Sequence, residues 1–317
     1  MPTIKELLEK QQITLYFMTI VVAIILASCI QGTSVLVIVI NPVLAYMLFV
    51  TFLQVPITEF KRFLLYGRFI AALLITNFVI IPLFVGILAL FLPHAPLIKL
   101  GVLFVLLAPC IDYVVTFSHL GKADAKSLMM STPILLVMQM LLLPIYLGLF
   151  IGDEVKSLIQ LAPFVHTFIE LILVPFILAT IVQYYAKRNQ IGSTVAQYLN
   201  LMPVPATALT LFVVIIAIVP QLENAAATAL IVIPYYVIFA IIAPLLGWKI
   251  TKLFHLPSCA GRSIAFSAGT RNALVILPLA LAIPNAIPLL PAVIVTQTLI
   301  ELVSELFYIH FIAKLGD

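Results

Sequence analysis

Two short polar runs, Ala108-Pro109-Cys110-Ile111-Asp112 and Ser267-Ala268-Gly269-Thr270-Arg271-Asn272, interrupt apolar stretches of helix length. The first holds a thiol and a carboxylate, and the second a guanidinium. Charges at such positions face a cavity or a partner, because an isolated one costs roughly 2.5–3.5 kcal/mol at the centre of a hydrophobic helix. Pro109 removes an amide donor and Gly269 loosens the backbone, so both helices are expected to break there. Helices broken at membrane depth, one in each half of a chain, mark the binding site of a transporter. Asp112 and Arg271 are natural partners across the two breaks. A soft sulfur at Cys110 would favour thiophilic partners over alkali ions.

Glu301 and Glu305 are four residues apart and share a helix face with Gln297 and Tyr308. Two carboxylates so close in low dielectric should not both ionise, which makes the pair a candidate proton carrier with Asp112. His166 and Glu170 have the same spacing and read as a hydrogen-bonded pair between helices rather than a metal site. Asn77 and Gln139 are single amides within apolar segments, the kind of residue that joins helices.

These residues sit in a chain of 317, of which 64% are hydrophobic and 9% charged. Soluble domains carry about 25% charged residues, so this is an integral membrane protein. Nothing supports nucleic-acid binding or a cofactor. Cys29, Cys110 and Cys259 are too scattered for a disulfide framework or a metal centre. The Leu26-Ala27-Ser28-Cys29 run matches a lipoprotein cleavage box, but its leader has as many acids as bases. No HExxH is present, and the two Gly-Asp pairs lie outside the segments, so an intramembrane protease is not indicated.

Residues 1–12 read as an amphipathic helix on the membrane surface. Apolar segments follow at about 13–30, 36–55, 69–92, 97–118 and 126–151. A break at Gly152-Asp153-Glu154 precedes a second set at about 162–186, 201–220, 226–247, 263–284 and 287–313. Each is near the ~20 residues that span a bilayer. Thirteen of the sixteen Lys and Arg fall on one side of this ten-helix topology. Lys99 and Lys156 fall on the other, and Arg271 lies within a segment. That asymmetry places both termini in the cytoplasm. The expected fold is all-α and polytopic, with repeats at 13–151 and 162–313. Five helices per repeat is odd, so the halves must be inverted.

At these residues the chain resembles the bile acid/sodium symporter superfamily, and within it the arsenical-resistance carriers that export arsenite. The third segment carries TNFVIIPL, similar to the Asn-x4-Pro-Leu pattern of those carriers. The fourth carries LAPCIDYVV and then HLGKAD, the sixth VPFILA, the ninth AFSAGTRNALVILPLALA and the tenth LIEL. Gln139 falls where those carriers also have a Gln.

The resemblance implies ten helices in two inverted repeats, with the fourth and ninth broken and crossing. A core of helices 3–5 and 8–10 would move against a panel of 1, 2, 6 and 7. Cys110 matches the cysteine used for metalloid transport, and Glu301 the tenth-helix glutamate. The expected substrate set is therefore Cys110, Glu301, Arg271 and Asn272, with Glu301, Glu305 and Asp112 for protons. Pro109, Ser267, Gly269 and Thr270 would form the breaks, and Asn77 and Gln139 would support them.

The chain departs from the arsenite carriers at Arg271 and Asp112. Val114, Val115, Ser267 and Arg271 replace the oxygen ligands of the sodium-coupled branch, so a tethered guanidinium takes one ion's space and coupling passes to protons. The function implied is proton-coupled efflux of arsenite or a related trivalent metalloid across the cytoplasmic membrane. Transport of a small organic anion, sodium- or proton-coupled, with Arg271 on its carboxylate, is the other reading.

Overall fold

In a computed structural model, residues 4–55, 63, 65–151, 166, 169–222, 225–281, 283 and 288–316 are described. The expected break at Gly152-Asp153-Glu154 and the basic residues Lys61, Arg62 and Lys156 lie outside them. Among the described residues every named element is a helix, and none is a strand. The helices are α1 (Ile4–Cys29), α2 (Val37–Leu53), α3 (Gly67–Ala89), α4 (Pro96–Leu106), α5 (Tyr113–Leu120), α6 (Ala125–Ile151) and α7 (Ile169–Ala186). They continue as α8 (Gln190–Leu199), α9 (Pro203–Leu222), α10 (Ala226–Leu253), α11 (Ser258–Gly269), α12 (Ala273–Leu281) and α13 (Leu289–Phe311).

Among the described residues, eight helices are long and apolar enough to cross a membrane. The fourth and ninth apolar segments are missing from those eight because each is interrupted, as α4/α5 and α11/α12. α1 runs unbroken from Ile4, so the N-terminal stretch expected on the membrane surface is continuous with the first apolar segment. Large apolar side chains such as Ile38, Leu83, Leu149 and Phe307 are exposed, as suits a surface solvated by lipid.

The chain divides into two compact units. Residues 1–56 and 161–225 form one, in which α9 packs on α1 and α2, and α7 packs on α2. Gln183 of α7 ties that unit locally by donating to the carbonyls at the end of α2, Phe52 and Leu53, and to Val55. Residues 57–160 and 226–317 form the other unit. There α10 packs on α11 and α13, α13 packs on α4 and α12, and α6 packs on α4 and α5.

Prolines inside these helices leave carbonyls that no helical amide can satisfy. Pro82 in α3 frees the Phe78 carbonyl four residues earlier, next to a π-helical turn at Thr76–Ile80. The hydroxyl of Tyr146 in α6 donates to that carbonyl at 2.5 Å. Pro244 in α10 frees the Ala240 carbonyl in the same way, and Tyr308 of α13 donates to it at 2.5 Å. Each of these two freed carbonyls is thus matched by a phenol on a neighbouring helix.

An unpaired buried carbonyl costs about 1–3 kcal/mol. Tyr308→Phe is therefore expected to lower thermal stability in detergent by that amount. Adding Pro244→Ala, which restores the amide donor, should recover most of the loss. Equal melting of the single and double variants would show that the hydroxyl does not cap the kink.

Candidate functional site

The site lies wholly within the unit formed by residues 57–160 and 226–317. α4 stops at Leu106 and the chain stays non-helical until Tyr113. Asp112 caps α5, with its Oδ1 accepting from the Tyr113 amide at 2.6 Å. α11 stops at Gly269, and Thr270 is extended. A Cβ at 269 would fall 2.7 Å from the Pro244 ring and 2.8 Å from Tyr308, so only glycine fits that close approach. α12 starts at Ala273, where the Asn272 Oδ1 accepts from the Val275 amide at 3.3 Å.

The two breaks cross as paired backbones. Pro109 and Arg271 form an antiparallel bridge. The Cys110 amide donates to the Thr270 carbonyl at 3.1 Å, and the Asn272 amide to the Ala108 carbonyl at 2.8 Å. The Cys110 thiol, buried, donates to the Asp112 Oδ1 at 3.0 Å.

Arg271 is fully buried, but it does not pair with Asp112 as expected. Its Nη2 donates to Asn77 Oδ1 at 2.8 Å, to the Ala268 carbonyl at 2.8 Å and to the Ser267 carbonyl. Its Nη1 reaches the Leu106 carbonyl at 3.4 Å, and the guanidinium carbon sits 5.5 Å from the centre of the Phe239 ring. Leu106, Ser267 and Ala268 end α4 and α11, so the cation sits on orphan carbonyls at the negative ends of two helices. Those acceptors outcompete Asp112, which is engaged as a helix cap. Asp112 Oδ2 and Arg271 Nε have no partner.

The α13 carboxyls reach both breaks. Glu301 Oε1 accepts from the Tyr113 hydroxyl at 2.5 Å. Its Oε2 accepts from the Arg271 amide and from Gln297 Nε2, each at 2.5 Å. Glu305 is fully buried and accepts from the Thr270 hydroxyl at 2.5 Å, while its second oxygen has no partner. A small cavity of about 10 Å³, the space of one water, opens beside Glu301, Gln297, Gly269, Leu106 and Phe239.

Of the residues singled out in the sequence, the structure gathers Cys110, Asp112, Pro109, Ser267, Gly269, Thr270, Arg271, Asn272, Asn77, Glu301 and Glu305 here. Asn77 ties α3 to α11 and the break after it, since its Nδ2 also donates to Ser267 Oγ at 2.9 Å, besides the Leu73 carbonyl of its own helix. Gln139, on α6, is buried with both amide ends unpartnered. His166 and Glu170 lie 3.4 Å apart with exposed side chains, so they meet each other rather than a second helix. Tyr113 escaped notice in the sequence, although a phenol directly after a charged break was the available signal. Among the described residues no three His, Cys, Asp or Glu side chains come together as a metal centre.

Asn77→Ala and Arg271→Gln share a hydrogen bond, so their stability losses should couple by about 1 kcal/mol or more. Asp112→Asn and Arg271→Gln share no hydrogen bond, so their coupling should be the weaker of the two. A double-mutant cycle of melting curves decides between them, and strong coupling of Asp112 to Arg271 would contradict the hydrogen-bond pattern.

Comparison with family models matches residues 41–228, more than half of the chain, to the sodium bile acid symporter family. The matched stretch includes the first break but not Arg271, Glu301 or Glu305. No curated protein matches the chain.

Proposed function

The chain belongs to the sodium bile acid symporter family, and from that premise we propose that it exports a neutral trivalent metalloid, arsenite or a close chemical relative, in exchange for protons. The observation that carries this reading is the balance of groups at the crossing. Three buried carboxyls, Asp112, Glu301 and Glu305, and one thiol share the crossing with a single buried guanidinium. That guanidinium is already bonded to four protein oxygens. One cation offsets one carboxylate, so the other two must take up protons or cations, which suits proton loading at Glu301 and Glu305. Cys110 would bind the metalloid by exchanging its thiol for one hydroxyl. The thiol proton, received by Asp112, leaves with that hydroxyl as water, so neither redox state nor net charge changes.

A small organic anion is the second reading. It draws on two buried donors without partners, Arg271 Nε and Asn272 Nδ2. A carboxylate would have to displace Asn77 or the Leu106 carbonyl to gain two bonds from the guanidinium, and the metalloid needs no such displacement.

The proposed topology is ten crossings of the cytoplasmic membrane with both termini in the cytoplasm. It draws on the eight long helices, the two interrupted segments and the distribution of Lys and Arg. Two inverted repeats draw support from a constant offset. Pro109 and Arg271 are 162 residues apart, as are Pro82 and Pro244, Tyr146 and Tyr308, and Gln139 and Glu301. The crossing bonds obey the same offset, since Cys110 to Thr270 becomes Asn272 to Ala108 on exchange of the halves.

Cys110→Ser is expected to abolish metalloid export in everted vesicles while leaving folding and insertion intact; full export by this variant would end the metalloid reading. Transport at fixed pH and voltage should not change when a sodium gradient replaces a potassium one. The guanidinium fills the oxygen-lined position next to Asn77, and Val114 and Val115 offer no side-chain oxygen. A steep rise with sodium would overturn the proton assignment.

A further inference from the structure

The offset of 162 residues makes Gln139 the counterpart of Glu301, and the two are treated oppositely by their surroundings. Glu301 is saturated by three donors: the Arg271 amide, the Tyr113 hydroxyl and the Gln297 amide. The residues at the same offset from those three donors are Pro109, Val275 and Leu135. Pro109 has no N–H, and Val275 and Leu135 have no polar side-chain atom, so each of the three donors is deleted in the mate. The outcome is visible in the structure. Gln139 is fully buried, with neither Oε1 nor Nε2 hydrogen-bonded. Where the second half directs the long Arg271 side chain, the first half has only the Pro109 ring. Asn272, the counterpart of Cys110, also keeps a buried, unpartnered Nδ2.

We propose that Gln139 and Asn272 form a substrate-binding half-site for a neutral, hydroxyl-bearing solute. A carboxamide supplies one acceptor and two donors without charge. It therefore matches hydroxyl groups, which both give and take hydrogen bonds, and discriminates against an ion. A buried amide with no partner is costly in the protein alone, so a bound solute satisfies what the fold leaves open. One half of the site is closed on itself and holds protons. The other leaves its two carboxamides with hydrogen bonds to give the cargo. This assignment rests on the metalloid-export reading, since a trivalent metalloid hydroxide is such a solute.

The test is Gln139→Leu in the full chain, with two readouts. Removing an unpaired amide for an apolar group of similar volume should leave the melting temperature unchanged or raise it. A melting temperature lower by several degrees would mean that the amide is satisfied within the protein, and the proposal falls. In vesicles with arsenite as the probe, KM should rise roughly tenfold, the scale of one or two lost hydrogen bonds, with the maximal rate retained. An unchanged KM also overturns it. If wild-type vesicles carry no arsenite, the export reading fails by itself, and the melting comparison still decides whether Gln139 is free for a ligand.

Discussion

Backbone amides and carbonyls at membrane depth have no water to turn to, and the whole site follows from how this chain meets that constraint. Two helices stop short of a full crossing. Each exposes carbonyls at the end of its first half and amides at the start of its second. The breaks answer each other: Cys110 with Thr270, Asn272 with Ala108. What the pairing leaves unsatisfied is taken by side chains, with Asp112 capping α5, Asn272 capping α12 and Arg271 seated on the carbonyl ends of α4 and α11. The charged residues at the crossing are therefore structural and chemical at once.

Arg271 is the clearest case. A guanidinium offers five donors in a rigid plane, and here four protein oxygens from three helices converge on it. It supplies a buried positive charge at the carbonyl ends of two helices. Glu301 then gathers amide and hydroxyl donors from both breaks, so the state of one carboxyl bears on two interruptions that are far apart in sequence.

Much of this was legible from residue types. The apolar lengths and the interruptions at Pro109 and Gly269 required only the rules of bilayer solvation. The pairing of Asp112 with Arg271 failed because sequence displays side-chain charges but hides carbonyl groups, and the carbonyls at the helix ends were the nearer acceptors. Gln139 looked like any helix-joining amide. Its isolation emerges only when Pro109, Val275 and Leu135 are set against Arg271, Tyr113 and Gln297. The phenols that cap the proline kinks were equally hidden, since a Tyr contributes to hydropathy in the same way wherever its hydroxyl points.

Those proline–tyrosine pairs constrain how such a chain can diverge. Once Pro244 frees the Ala240 carbonyl, Tyr308 becomes its obligatory partner, whereas a helix without Pro244 leaves position 308 at liberty. Substitutions at the two positions are therefore ordered in evolutionary time. Loss of the proline opens a neutral route to loss of the tyrosine, and the reverse order passes through an impaired ancestor. Pro82 and Tyr146 carry the same historical contingency, so each half of the molecule keeps its own record of which residue changed first.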